Sequence, residues 1–292
     1  MFKGPYLHYA VRMITNNKSP FGSPIWQGLG READLSTQLI CSGANEIGRA
    51  SFYQQGHYAA AQFGFSNGLE RLGKLILTSD SLLATGAPLS DNELRKRGHS
   101  IAAILNEVEN ISKQRALQLT YERPTGPIST AIISCLDDFA AASRGRYANH
   151  ASLTGTPSPH DPVVAWWSKV CKLILKAHFA GTPSEVVARK EAAAMQAIMN
   201  AHSATLFFHE DGSVVQDLEE VTVMTHERAV TQRWGRFYTL SHARWLADIF
   251  DSMTGTAQPA GGVNYFFGHY ERVQTLRVAD AVLRTRKSWP LA

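Results

Sequence analysis

The spacing of the apolar residues constrains the fold of this 292-residue chain more than any other feature. In the segment 58–77, which reads "YAAAQFGFSNGLERLGKLIL", large apolar residues recur mostly every three or four positions, as on one face of an α-helix. The same spacing recurs between Ile101 and Ile111, and no stretch alternates apolar and polar residues for more than a few positions. The sequence therefore predicts an all-α fold.

Prolines and glycines divide the predicted helices into regions. The stretch "TGTPSPHDP" (154–162) has three prolines in nine residues and is the clearest linker in the chain. The sequence predicts the following four regions: an irregular N-terminal lead-in over 1–35 with room for one short helix, a helical core over 36–153, the Pro-rich linker 154–162, and a helical C-terminal region over 163–292. The C-terminal region either packs with the core as one domain or forms a separate module. The predicted helices include about 91–120, about 127–146, one long or broken helix over 217–253, and a last helix over about 264–287.

Composition excludes several classes of protein. A net charge of +4 permits a polyanionic partner without requiring one. No apolar run approaches the roughly 18 residues of a membrane span, and the N-terminus has no continuous apolar segment of the signal-peptide kind. The three cysteines are far apart in the sequence, so we expect reduced, buried thiols and a cytoplasmic protein that makes no membrane contact. Metal-binding, phosphate-loop and serine-nucleophile motifs are absent, and no metal or cofactor is expected.

The stretch "AASRGRYANHAS" (141–152) follows an apolar helical run and concentrates polar chemistry. His150 is suited to proton transfer near neutral pH, and Arg144 can hold phosphoryl oxygens with two parallel hydrogen bonds. The ordinary alternative is a helix C-terminus, where positive charge is favourable against the helix dipole. The same Arg-to-His spacing occurs a second time, between Arg236 and His242, so the spacing alone does not identify a site.

The order of features in 41–150 resembles the HEPN family (higher eukaryotes and prokaryotes nucleotide-binding). Two early helices match the family pattern at Ala50, Gly56, Tyr58, Ala61, Glu70 and Lys74. The stretch "RGHSIAAIL" (97–105) then matches the family's third helix, and Arg144 with His150 matches its Arg-x(4–6)-His motif. The resemblance covers about 110 of the residues and leaves the first 35 and the region after the linker unexplained.

The resemblance implies a HEPN-like helical bundle with additional C-terminal helices. It also implies a metal-independent endoribonuclease, in which Arg144 clamps phosphate and His150 transfers a proton to give a 2′,3′-cyclic phosphate. Arg146, Tyr147 and Asn149 are the expected RNA contacts beside that pair. Members of the family commonly form homodimers in which two motifs face each other, and they serve in toxin–antitoxin pairs or antiviral defence under the control of a protein partner.

Other interpretations remain open at this point. Arg236 and His242 would provide a second motif within one chain, and the basic, aromatic stretch 227–245 suits either RNA contact or a helix core. Glu70 and Lys74 fit a simple i, i+4 surface pair, and His99 fits a loop residue that fixes the third helix. The whole chain also fits a non-catalytic interaction subunit or an RNA- or nucleotide-binding module.

Overall fold

The computed structural model describes residues 19–141, 161–199, 206–255, 257 and 263–291, and these residues form the predicted all-α fold. The first half has the helices α1 (Pro24–Ile47), α2 (Gly56–Thr85), α3 (Asp91–Lys96), α4 (Ile101–Gln114) and α5 (Pro127–Ala140). The second half has α6 (Pro162–Trp166), a π-helical turn (Trp167–Cys171), α7 (Lys172–His178), α8 (Pro183–Met199), α9 (Leu218–Gly255), α10 (Tyr270–Val273), a 3-10 turn (Gln274–Leu276) and α11 (Asp280–Thr285). A small antiparallel hairpin of β1 (Phe207–Phe208) and β2 (Val214–Val215) lies between α8 and α9.

Three predicted helix boundaries are wrong. Residues 24–35 are helical instead of irregular, because Pro24 occupies the first turn of α1, where its missing N–H costs nothing. The predicted helix 91–120 is two helices, because Gly98 has a φ of +64° and Ser100 caps α4 by accepting from the N–H of Ala103. The predicted helix 264–287 breaks into α10, the 3-10 turn and α11. The prediction 217–253 is confirmed as the single long helix α9.

Glycines bring α1 and α2 into close contact. A Cβ atom on Gly64 would lie 2.7 Å from the carbonyl oxygen of Leu39 and 2.8 Å from the backbone nitrogen of Gly43. One turn further along α2, a Cβ atom on Gly68 would lie 2.6 Å from the side chain of Ile40. The two backbones therefore approach each other at a distance that larger residues exclude, and this pair positions the α2 side chains described below.

We expect Gly64→Ala to lower the free energy of unfolding by about 3 kcal/mol, because the methyl group meets backbone atoms of α1 that cannot move independently. Gly28→Ala in the same helix pair is the matched control, since nothing lies within 4 Å of its Cβ position. Removing a helix-interior glycine there is expected to raise the free energy of unfolding by about 0.5–1 kcal/mol. Urea denaturation measures the change in the free energy of unfolding for each variant. Equal changes in Gly64→Ala and Gly28→Ala would contradict the close contact between α1 and α2.

Most of the helices share one apolar core, which extends from Leu29 in α1 to Trp289 near the C-terminus, and Phe52, Val215 and Met224 form a second, smaller cluster. The second half of α9 is buried on nearly all sides, and the helix as a whole packs against α1, α2 and α5 as well as against α8, α10 and α11. All three cysteines are free and buried. Across the residues with assigned positions, none of the helices has both the length and the apolar character needed to cross a bilayer.

Candidate functional site

A cleft of about 790 Å³ opens between α1, α2 and the end of α5. Its walls are residues 25–32 of α1, residues 67–78 of α2, Pro88, Leu94 and His99 from the α3 region, and Ala140 with Ala141. The volume is typical of a pocket for a small molecule or a short piece of a polymer. Leu29 and Leu75 are among the apolar lining residues, and the charged ones are Arg31, Glu32, Glu70, Arg71 and Lys74.

One wall of the cleft has a chain of three polar side chains. Lys74 donates from Nζ to Glu70 Oε1 at 2.8 Å, and Nδ1 of His99 lies 3.0 Å from the same oxygen. Glu70 and Lys74 are one turn apart on α2, so their pairing follows from the helix period. His99 reaches Glu70 from the loop between α3 and α4, 29 positions later in the sequence.

Hydrogen bonds fix the loop that carries His99 where it enters α4. Asp137 near the end of α5 accepts hydrogen bonds from the hydroxyl of Ser100 at 3.3 Å and from the backbone N–H groups of Ile101 and Ala102. A carboxylate at these first N–H groups of α4 is favoured by the helix dipole. Burial of Asp137 nevertheless raises the pKa of that carboxyl group, with the backbone hydrogen bonds opposing the shift. The contact joins the His99 loop directly to the end of α5.

The lining of the cleft also includes a second ion pair and an exposed cation. Arg71 donates to both carboxylate oxygens of Glu32, at 2.9 and 2.7 Å. Arg31 is exposed and makes no hydrogen bond or ion pair with any described residue. The cleft therefore presents three cations, Arg31, Arg71 and Lys74, against two carboxylates, which leaves an excess of positive charge before His99 is counted. Such a lining favours an anionic ligand.

The predicted site residues Arg144, Arg146, Tyr147, Asn149 and His150 lie outside the described residues. Ala141 is the last described residue before them, and Arg144 follows it by three positions in the sequence. Ala140 and Ala141 belong to the wall of the cleft.

The second Arg-to-His motif is inside the protein. Arg236 is 5% exposed and His242 is 2% exposed, so neither side chain is open to a substrate. Burial, assisted by the positive charge of Arg123, lowers the pKa of His242 to about 4. In the stretch 227–245, Arg244 and Trp245 are also buried, as the helix-core interpretation requires. Nowhere in the part of the chain that the structure describes do three metal-ligating side chains come together.

A buried polar cluster was missed by the sequence analysis. Tyr58 OH donates to Glu210 Oε1 at 2.9 Å, and both residues are almost completely buried. Cys171 lies beside them in the π-helical turn, and the ring of His209 packs 4.3 Å from that of Trp167. Burial raises the pKa of Glu210, and this cluster fixes the β-hairpin against the body of the protein. The motif match at Tyr58 was visible in the sequence, but nothing there indicated its partner 152 positions away.

Comparisons of the chain with family models, with curated proteins and with solved structures found no match in any of the three. The similarity to the HEPN family therefore remains a prediction from sequence motifs.

Proposed function

We propose that the protein is a metal-independent endoribonuclease of HEPN type, and that RNA binds in the cleft between α1, α2 and the end of α5. One observation carries the proposal. The sequence motifs include Glu70 and Lys74 in one segment and His99 in another, and these three side chains meet on one wall of this cleft. The same cleft is bordered by Ala140 and Ala141, and the chain leads from there to Arg144 and His150.

The proposed reaction uses the nucleophile that RNA itself contains. His150 takes part in the proton transfers that accompany attack of the 2′-oxygen on phosphorus, and Arg144 holds the phosphoryl oxygens as negative charge develops. The P–O5′ bond breaks, and the products are a 2′,3′-cyclic phosphate and a 5′-hydroxyl. DNA has no 2′-hydroxyl and is not cleaved by this route.

The lining of the cleft supports a polyanionic substrate. Arg31 is exposed and free of any described partner, and Arg71 and Lys74 add charge that is only partly balanced by Glu32 and Glu70. In the proposal, Arg146, Tyr147 and Asn149 contact the RNA beside the Arg144–His150 pair. A homodimer and a regulatory protein partner, in a toxin–antitoxin or antiviral role, belong to the same proposal.

The test is cleavage of mixed-sequence RNA in EDTA by the native chain, Arg144→Ala and His150→Ala. We expect each substitution to reduce the rate about 10²–10⁴-fold, as the loss of a phosphate clamp or of a proton-transfer group does. The native product is expected to end in cyclic phosphate, and a DNA strand of the same sequence to stay intact.

Arg189→Ala and His226→Ala are the matched controls. Arg189 is a surface arginine of α8, and His226 pairs with Glu191 at 2.9 Å; neither residue borders the cleft. Both controls are expected to cleave like the native chain. A native chain that binds RNA in a salt-sensitive way but never cleaves it would overturn the nuclease and favour the binding module. A native chain that neither cleaves nor binds RNA would favour the interaction subunit.

A further inference from the structure

We propose that the protein has a second RNA-binding surface, formed by α7, α9 and α11, on which bases of single-stranded RNA stack on aromatic rings. This aromatic surface consists of His178, Arg233, Trp234, Phe237, Tyr238 and Arg284. None of the six residues borders the cleft. The inference rests on the proposed function in one respect, which is that the polymer bound is RNA.

The rings of the aromatic surface form one contiguous cluster. His178 stacks on Trp234, with the two ring centroids 3.7 Å apart and the planes 7° from parallel. The rings of Phe237 and Tyr238 lie 5.3 and 5.9 Å from that of Trp234, and the hydroxyl oxygen of Tyr238 lies 2.9 Å from Nε2 of His178. The three α9 rings pack against the apolar core on one side, but all four rings are partly exposed. The cluster is therefore held in place and still offers ring surface to a base.

Two arginines lie over these rings. The guanidinium carbon of Arg233 is 5.5 Å from the ring centroid of Trp234, and that of Arg284 is 5.8 Å from the ring centroid of Phe237. Neither arginine makes a hydrogen bond or an ion pair with a residue that the structure describes. The negative face of the ring attracts the guanidinium group, and its N–H groups stay available to phosphate oxygens.

The segments that form the aromatic surface have no acidic side chain. Asp and Glu are absent from 172–184, 228–247 and 281–291, and the last of these segments adds Arg286 and Lys287 to Arg284. Burial, assisted by the positive charge of Arg233, lowers the pKa of His178, so this ring is neutral at pH 7 and stacks as an uncharged aromatic group. A polyanion therefore meets positive charge here without a carboxylate from these segments.

Single-stranded RNA has both of the groups that this surface can hold. Its unpaired bases offer flat faces to aromatic side chains, and its phosphates pair with arginines along the strand. In a duplex the faces of the bases are stacked on one another, and an acidic peptide supplies charge without a run of flat bases. The combination of open rings and unpaired arginines favours single-stranded RNA over both.

Binding of a mixed-sequence 2′-O-methyl RNA tests the surface without cleavage, because this RNA has no free 2′-hydroxyl. Trp234→Leu keeps apolar packing but removes the ring, and we expect the Kd to rise about 5- to 100-fold. Arg233 is exposed, so Arg233→Gln leaves the core intact. We expect Arg233→Gln to lower the slope of log K against log salt concentration by about 0.7 in magnitude, as for one lost phosphate contact.

Tyr53→Leu and Arg228→Gln are the matched controls, because they alter an aromatic–arginine pair on another side of α9. The guanidinium carbon of Arg228 is 5.3 Å from the ring centroid of Tyr53, which is 53% exposed. One turn after Arg228, Gln232 donates to the carbonyl oxygen of Ala50, so this side of α9 faces the connection between α1 and α2. Both controls are expected to bind RNA like the native chain.

A second measurement locates the contact directly. In protein labelled with 5-fluorotryptophan, the ¹⁹F resonance that is missing from Trp234→Leu belongs to Trp234, and the 2′-O-methyl RNA is expected to shift it saturably. Saturable RNA binding without this shift would overturn the inference, and so would native Kd and salt slope in both Trp234→Leu and Arg233→Gln. Equal competition by polyglutamate would overturn it in favour of an acidic protein, and tighter binding of a DNA strand of the same sequence would overturn it in favour of DNA.

Cleavage of unmodified RNA is scored separately, so that the two proposals fail in different ways. A native chain that binds RNA on the aromatic surface but does not cleave it would refute the proposed function and support the inference. A native chain that cleaves RNA, while Trp234→Leu and Arg233→Gln bind it normally, would refute the inference alone. A native chain that does not bind RNA would refute both.

Discussion

Acidification from pH 7 to pH 4 is expected to lower the free energy of unfolding by about 6 kcal/mol through two buried histidines, His242 and His269. His242 is 2% exposed, His269 is fully buried, and burial is the main cause that lowers the pKa of each ring from 6.5 to about 4. Because the folded-state pKa is depressed, the contribution is present above pH 6.5 and is lost as the pH falls towards 4. A shift of this size corresponds to about 3 kcal/mol for each histidine.

The surroundings of the two rings explain why protonation is costly. The ring nitrogens of His242 and His269 are buried, and the backbone groups of Ser129 and Trp26, which favour the respective protonated rings, only partly offset the cost of that burial. The ring of His269 stacks on Trp26 at 5.1 Å, and a Cβ atom on Gly30 would come within 2.9 Å of it. The positive charges of Arg123 and Arg272 oppose protonation of His242 and His269, respectively.

Denaturant unfolding at intervals between pH 7 and pH 4 measures this loss. His242→Gln and His269→Gln are each expected to remove about half of the histidine-dependent decrease, whatever each substitution does to stability at pH 7. The carboxyl groups titrate equally in all three proteins, so the difference between the curves isolates each histidine. Parallel curves for the native chain and either variant would contradict the assignment. In cleavage assays below about pH 6, the fraction of unfolded protein must be measured before a fall in rate is assigned to catalysis.

Local periodicity was sufficient to predict much of the fold, and long-range packing accounts for most of what it missed. The three- and four-residue spacing located α2 and α4, because a helix that buries one face must repeat its apolar residues at that period. The β-hairpin was not predicted, since its position depends on the contact of Glu210 with Tyr58 in α2. The break between α3 and α4 was not predicted, because it depends on the positive φ of Gly98 and the residues on both sides have a helical pattern.

In the candidate site, too, local contacts were predicted and long-range contacts were not. The pairing of Glu70 with Lys74 follows from helix geometry and was anticipated, whereas the contact of His99 with Glu70 was not. That contact depends on how α4 packs on α2, where Gly73 leaves space for Ile104: a Cβ atom at Gly73 would lie 2.4 Å from it. The roles of Arg144 and His150 remain predictions that the cleavage assay tests.

Asp248→Asn is expected to lower the free energy of unfolding by about 3–5 kcal/mol, because Asp248 neutralises a buried network. The Asp248 carboxylate is 1% exposed and accepts from the backbone N–H groups of Thr120 and Tyr121, at 2.6 and 2.9 Å, and from Arg277 at 2.8 Å. An amide in its place leaves the Arg277 charge without its buried partner and turns an N–H₂ group towards one set of donors. The loop held in this way leads into α5, whose last residues border the cleft.

Asp251→Asn is the matched control for Asp248→Asn, because Asp251 also pairs with Arg277 but is 22% exposed and makes no described bond to the 115–126 loop. Its loss is expected to stay below about 2 kcal/mol, as for a partly solvated ion pair. Urea denaturation at pH 7 compares the two, and equal losses would mean that the Arg277 ion pairs alone, without the loop contacts, account for the stability. If Asp248 acts through the loop, mild destabilising conditions are also expected to weaken the proposed RNA cleavage in Asp248→Asn before the protein unfolds, since α5 forms one border of the cleft.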